Sequence, residues 1–214
     1  MLRGKFMNYQ NIIVPEGLFF KEKTSQKNSL NKLAKAKKQI LNINLFSSLY
    51  DRYADIDRKQ EIQLMLTALF PEDKLFSIQA DYFTYLTSQH RLLKNVDNTL
   101  NDLKDKVNIF IASIYPQAVI SKRLEQAKIN YPLVANPTDD FTSMSKIITQ
   151  IISQHNLDKN ETLLIGTSLG DEIQAANDLE LPSLWVSTNR KVPITPHPNL
   201  HVKKFEDIAF YFMG

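Results

Sequence analysis

Four short apolar runs in this chain each end in residues that could do chemistry. Asn11-Ile12-Ile13-Val14 leads into Pro15-Glu16-Gly17, and Val107-Asn108-Ile109-Phe110-Ile111-Ala112 ends at Ser113. Tyr131-Pro132-Leu133-Val134 precedes Ala135-Asn136-Pro137, and Leu163-Leu164-Ile165 opens into Gly166-Thr167-Ser168-Leu169-Gly170-Asp171-Glu172. Glu16 could move a proton, while Ser113, Asn136 and Ser168 could hold the oxygens of an anion. Glu16, Asp171 and Glu172 together could make a small divalent-cation site. A plainer account stands beside each. Serine satisfies backbone groups at turns by local hydrogen bonding. Acidic residues such as Asp171 and Glu172 are favoured wherever a helix begins. The four histidines, His90, His155, His197 and His201, have no ligand spacing and read as surface positions.

The elements that would position these residues follow from periodicity. β-Branched runs of four to six residues bounded by Gly, Pro or Ser read as buried strands. Between them, residues 117–128, 141–155 and 171–179 read as helices, the first with Val119, Ile120, Leu124 and Ala127 inward. Ser183–Val186 reads as a fifth strand containing a core tryptophan, Trp185. Residues 191–200 hold three prolines and read as a loop, and 205–212 as a short terminal helix. Strand–helix alternation of this kind implies a doubly wound parallel sheet of five or six strands. Its ligand crevice lies beyond the carboxyl ends of the strands, where the four candidate loops would meet. From about Phe20 to Arg91 the pattern changes. Apolar pairs recur at helical spacing, Leu45-Phe46 with Leu49-Tyr50 and Ile62 with Met65-Leu66, and Pro71 is the one proline. This stretch reads as several helices forming a cap, with Tyr82, Phe83 and Tyr85 packing inside it.

The loops resemble the four motifs of the haloacid-dehalogenase-like (HAD) hydrolases. Ile13-Val14-Pro15-Glu16-Gly17-Leu18 is similar to the strand followed by D-x-D-G-T-L, and Ile109–Ser113 to the strand ending in Ser or Thr. Asn136-Pro137 with Phe141 resembles the K-P-x-x-x-x-F stretch, one residue shorter. Leu163–Ile173 resembles h-h-h-G-D-S-x-x-x-D-I and carries the most specific match. The helical insertion stands where that family places its C1 cap. The resemblance covers about residues 8–212 and implies an α/β core over 1–19 and 93–214, with an all-helical cap over 20–92 inserted after the first strand.

It also implies a chemistry that this sequence has lost. In the family the first aspartate attacks phosphorus, the second is acid and base, a lysine and a hydroxyl hold the phosphoryl oxygens, and acidic residues hold Mg²⁺. Here Val14 stands at the nucleophile position, and an isopropyl group has no lone pair to give. Glu16 stands at the acid/base position, Leu18 replaces the threonine, and Asn136 stands where the lysine belongs. Thr167, Asp171 and Glu172 occupy the metal positions, with a neutral oxygen replacing the first anion. A shifted alignment does not restore the nucleophile, because residues 1–50 contain no aspartate and the first is Asp51.

These losses lead us to expect a HAD-like hydrolase homologue without catalysis, acting by binding a small anion or a protein partner. No cofactor is expected, since the Mg²⁺ of the family loses most of its ligands. One alternative is a phosphatase-type hydrolase with an altered, non-covalent mechanism using Glu16. Another is a polyanion-binding protein. Residues 1–50 hold nine Lys/Arg against Glu16 and Glu22, a balance of +7 within a chain of net charge +3, and Lys32, Lys35, Lys37 and Lys38 crowd one helical stretch. A charge block of this kind is usually a solvated face, and without interleaved aromatics nucleic acid is not expected. With no cysteine, disulfides and thiolate metal sites are excluded. No signal peptide or membrane-length apolar run is evident, so a cytoplasmic location is expected.

Overall fold

Runs of Ile, Leu, Val and Phe that leave neither face suited to water become the centre of a parallel sheet. The computed structural model describes residues 9–53, 56–137, 141–188 and 192–212. Its strands are β1 (Asn11–Pro15), β2 (Asn108–Pro116), β3 (Leu133–Asn136), β4 (Thr162–Gly166), β5 (Ser183–Val186) and β6 (Leu200–Val202). They pair in parallel in the order β3-β2-β1-β4-β5-β6. Ile13 lies opposite Phe110 on one side and Leu164 on the other, which sets β1 at the middle.

The sheet is covered on both faces, as its pattern requires. Alternate residues Ile12, Val14, Ile109, Ile111, Leu163, Ile165 and Leu184 pack against α5 (Val96–Leu103), α6 (Gln117–Gln126) and the terminal 3₁₀ turn at Phe205–Tyr211. Ile13, Phe110, Ala112 and Leu164 face the other way, onto α7 (Met144–His155) and α8 (Gln174–Asp178). The α7 helix starts where Ser143 accepts a hydrogen bond from Lys146 N, a side-chain N-cap.

Among the described residues, four helices come between β1 and α5: α1 (Glu22–Ala36), α2 (Ile43–Arg52), α3 (Arg58–Leu69) and α4 (Leu75–Leu86). Asn42 and Asp57 cap α2 and α3 by accepting from Leu45 N and Gln60 N, and Pro71 follows the end of α3. The two linkers of this insertion run side by side. Phe20 and Leu92 form an isolated antiparallel bridge, flanked by Lys21 N to Arg91 O at 3.2 Å and Leu93 N to Phe19 O at 2.7 Å. The cap shares its core with the sheet. Phe83 stacks edge-on against Phe141 at 4.9 Å and Tyr115 at 6.1 Å, so the Tyr82–Phe83 cluster is packing between the layers.

Several boundaries depart from the sequence reading. β2 does not end at Ser113 but continues to Pro116, because Ile114 and Tyr115 are also buried. Its register against β3 shifts between Ser113 and Pro116. α5 lies in a stretch whose turn-rich composition hid it. The sixth strand follows a proline-rich loop and has three residues, too few for a pattern. The helix expected over 171–179 is broken into a wide π turn, Leu169–Ile173, and the short α8.

Candidate functional site

The carboxyl ends of β1, β2 and β4 converge as the doubly wound topology demands, and the residues they bring together are closed off from solvent. Val14 is fully buried in the core, and Glu16 follows at the start of a 3₁₀ turn with 5% of its surface exposed. Ser113 is buried at β2, where its Oγ accepts from Tyr115 N at 3.1 Å, the local turn role. Ser168, Asp171 and Glu172 are each buried after β4. Asn136, at the end of β3, is half-buried.

Glu172 is turned back onto its own loop. Its Oε2 accepts from Ser168 N at 2.6 Å and Thr167 N at 3.2 Å. This return depends on Gly166, where an added Cβ would stand 2.6 Å from the Glu172 Cβ. Trp185, buried on β5, donates from Nε1 to Thr167 O at 3.0 Å and pins the same loop. The expectation that Trp185 is core therefore holds, with a polar contact added. His201 lies against its ring at 5.0 Å and is half-buried, whereas His90, His155 and His197 are exposed.

Three side-chain atoms of this cluster are buried without a protein hydrogen-bond partner: Glu16 Oε2, Ser168 Oγ and Asp171 Oδ2. The electrostatics follow. Burial, then the neighbouring Glu22, push the Glu16 carboxyl up to about 8 against the pull of Arg123. Burial raises Asp171 well above the carboxylate range, and Glu172 and Asp57 add to the rise while Arg58 opposes it. Glu172 is raised by burial, with Arg58 and the two loop amides opposing.

The sequence reading missed the residues that close this site. Arg123 of α6 is fully buried. Its Nη2 donates to Glu22 Oε2 at 3.1 Å and its Nε donates to Gln89 O at 2.7 Å. Its guanidinium also stacks 4.1 Å from the centre of the Phe20 ring. Phe20 and Glu22 lie in and just after one linker of the cap, and Gln89 just before the other, so one arginine of the core grips both. Tyr115 donates to the second oxygen of Glu22 at 2.8 Å. Burial alone would raise Glu22, but Arg123, Arg58 and the Tyr115 hydroxyl together hold it below its ordinary value. Arg58, in the first turn of α3, pairs with the buried Glu61 at 2.8 Å. The signal for Arg123 was present in the pattern. It lies four residues from both Val119 and Ala127, on the inward stripe of α6, where an arginine must be paired. Nothing comparable pointed to Arg58.

The arrangement does not fit the Mg²⁺ that the fold implies. Val14 offers no donor, Glu172 is engaged by backbone amides, and the Arg58 guanidinium is the cation that acts on Asp171 and Glu172. Among the described residues, no group of three or more His, Cys, Asp or Glu side chains is placed to hold a metal ion. The basic stretch of α1 is also partly neutralised. Lys37 pairs with Asp73 at 2.6 Å, Lys23 with Asp51 at 2.6 Å, and Lys32 donates to Ser88 Oγ. Among the described residues, no helix is long and apolar enough to cross a membrane.

No family model matches the sequence, and no curated protein does. Solved structures do match. YfnB of Bacillus subtilis, assigned as a HAD-hydrolase and seen with magnesium in a structure that reveals interdomain movement, superposes with a TM-score of 0.79 at 14% identity, covering 96% of this chain and 99% of that one. A structure assigned as a phosphatase from Clostridium difficile gives 0.74 at 14% identity, with the same coverage. A haloacid dehalogenase-like family protein from Streptococcus pneumoniae gives 0.73 at 12%, again over 96% and 99%. Identities this low establish architecture alone, and on that footing the chain has the α/β fold of the HAD-like hydrolases, a parallel sheet with a helical cap inserted after its first strand.

Proposed function

We propose that this chain is a HAD-fold protein without phosphoaspartate chemistry that acts by binding a protein partner, with residues 20–92 as its cap and 1–19 and 93–214 as its core. The observation that carries this reading is the end of β1, where a fully buried valine stands at the nucleophile position. The neighbouring charges support it. Arg58 and Arg123 are already paired with Glu61 and Glu22, and the remaining groups facing the site, Glu16, Asp171 and Glu172, offer an anion no cation. Of the two binding modes expected from the sequence, a small anion at Ser113, Asn136 and Ser168 is therefore the weaker. The absence of cysteine fits a reducing compartment such as the cytoplasm.

The test is a broad phosphoester panel with Mg²⁺, paired with calorimetric titration of inorganic phosphate. No turnover above background and no phosphate heat are expected. The change Val14→Asp with Thr167→Asp should recover partial activity at most, because Leu18 and Asn136 still fail to position the phosphoryl group. A second reading has one observation in its favour: a Glu16 carboxyl near 8 sits close to the working range of a general base. Its burial counts against access by water or ester. Turnover in the wild type that Glu16→Gln abolishes would put this reading first.

A further inference from the structure

We infer that Arg123 is a latch that holds the cap shut over the strand-end site, so that the crevice opens only when this one guanidinium is unpaired. The chain enters the cap through Phe20 and Lys21 and leaves it through Arg91 and Leu92. The backbone bonds at this crossing, the Phe20–Leu92 bridge with Lys21 N to Arg91 O and Leu93 N to Phe19 O, tie the linkers to each other. They do not set the angle at which the cap leans on the sheet. Two linker segments bonded in this way form a hinge, and the angle must be fixed by contacts made elsewhere.

Arg123 belongs to α6, a helix of the core, and bonds the cap on both sides of that hinge. Its Nη2 donates to Glu22, the first residue of α1, and its Nε donates to Gln89 O, just past the end of α4. Tyr115 of β2 donates to the other oxygen of Glu22, so two elements of the core hold that carboxylate. The grip spreads into the cap, because Asn28 donates to the Gln89 side chain at 3.2 Å and Lys32 to Ser88 Oγ at 2.9 Å. Lifting the cap draws Glu22 and Gln89 away from α6 and strands buried charges without partners. That penalty keeps the open form below roughly one molecule in a hundred. The site behind the latch pulls the other way. Glu16 Oε2, Ser168 Oγ and Asp171 Oδ2 are buried without a protein partner, and each would gain hydrogen bonds from solvent on opening. The latch thus holds closed a site whose own polar atoms favour exposure. This inference concerns access to the site and stands whether or not the site is catalytic.

The chain has no cysteine, so an introduced thiol is its sole one and reports access where it stands. Ser168→Cys places it in the site, and Ser183→Cys, the same exchange at a fully buried position that opens β5, is the control away from the hinge. Each is made in the wild-type background and in the background Glu22→Gln with Arg123→Met, which removes the latch without leaving a buried charge unpaired. Alkylation by iodoacetamide in native buffer is followed by mass spectrometry. With the latch intact both thiols should react far more slowly than in urea-unfolded protein. Without it, Ser168→Cys should react faster by about a hundredfold while Ser183→Cys is unchanged. A Ser168→Cys thiol that reacts no faster without the latch overturns the inference, as does one that reacts at the unfolded rate with the latch intact. Equal acceleration at both positions overturns it too, since Arg123 would then support the fold as a whole and not the closure of the cap.

Discussion

Replacing Glu16 by Gln should stabilise this protein, and by more as the pH rises. In the folded chain burial holds this carboxyl protonated up to about 8, against an ordinary value of 4.5. The native state therefore binds a proton that the unfolded chain releases above 4.5. The stability associated with that proton is fully present below 4.5 and is lost as pH climbs through 8. Each pH unit of mismatch is worth about 1.4 kcal/mol. The penalty is then about 0.7 kcal/mol at pH 5, about 3 kcal/mol at pH 7, and levels off near 5 kcal/mol above pH 8. Glutamine has the shape of the neutral acid and carries no such penalty. Urea unfolding of wild type and Glu16→Gln at pH 5, 7 and 8 reads the difference directly. At pH 7 the gain corresponds to a rise in melting temperature of roughly 6–12 °C for a chain of this size. A gain that is the same at all three pH values, or a glutamine variant less stable than wild type at pH 8, would refute the reasoning, because Glu16 would then be ionised or hydrogen-bonded in the native state.

Other expectations concern the surrounding groups. Arg123→Met should cost about 3–5 kcal/mol, since it leaves Glu22 buried without its cation, and adding Glu22→Gln should recover much of that loss; a double-mutant cycle by denaturant titration measures the coupling. Gly166→Ala forces its methyl against the Glu172 Cβ at 2.6 Å, and about 1–3 kcal/mol of destabilisation is expected from urea midpoints. Hydrogen exchange at Gln89–Leu92 should be slow in the wild type and markedly faster in Arg123→Met, if that guanidinium is what ties the linkers.

The fold was legible because its signals are long-range repeats of simple patterns. Buried β-branched runs separated by amphipathic helices leave few alternatives to a parallel sheet, and the insertion after Val14 announced itself by a change of period. What escaped were elements with too little length or too mixed a composition: the three-residue β6, the turn-rich α5, and the π turn at Leu169–Ile173. The site was legible as a set of positions. Glu16, Ser113, Ser168, Asp171 and Glu172 lie in or just beyond the carboxyl-terminal halves of β1, β2 and β4, all of them buried. Their partners were not legible, because an ion pair between α1 and α6 joins residues 101 positions apart. Sequence spacing along one helix can mark Arg123 as inward, but it does not say that Glu22 and Gln89 wait there.

On the proposed reading, the absence of aspartate from residues 1–50 and the presence of the buried arginines are physically connected. A working phosphoaspartate site must stay open to an anion and a hydrated cation, so its charged residues are balanced by ligands that come and go. If this chain takes up no such ligand, as proposed, carboxylates left facing one another in a closed space have two remedies, protonation or an internal cation. Both are in place. Glu16 and Asp171 are held toward the neutral form, while Glu22 and Glu61 receive Arg123 and Arg58. The second remedy has a mechanical consequence, because Arg123 also bonds Gln89 and stacks on Phe20, at the two linkers about which a cap must turn. Turning the cap about these linkers would require unpairing a fully buried guanidinium, at a cost of several kcal/mol. Under the proposed function, a cap held in this way would exchange access to its crevice for a fixed outer surface, as suits a protein that presents a face to a partner.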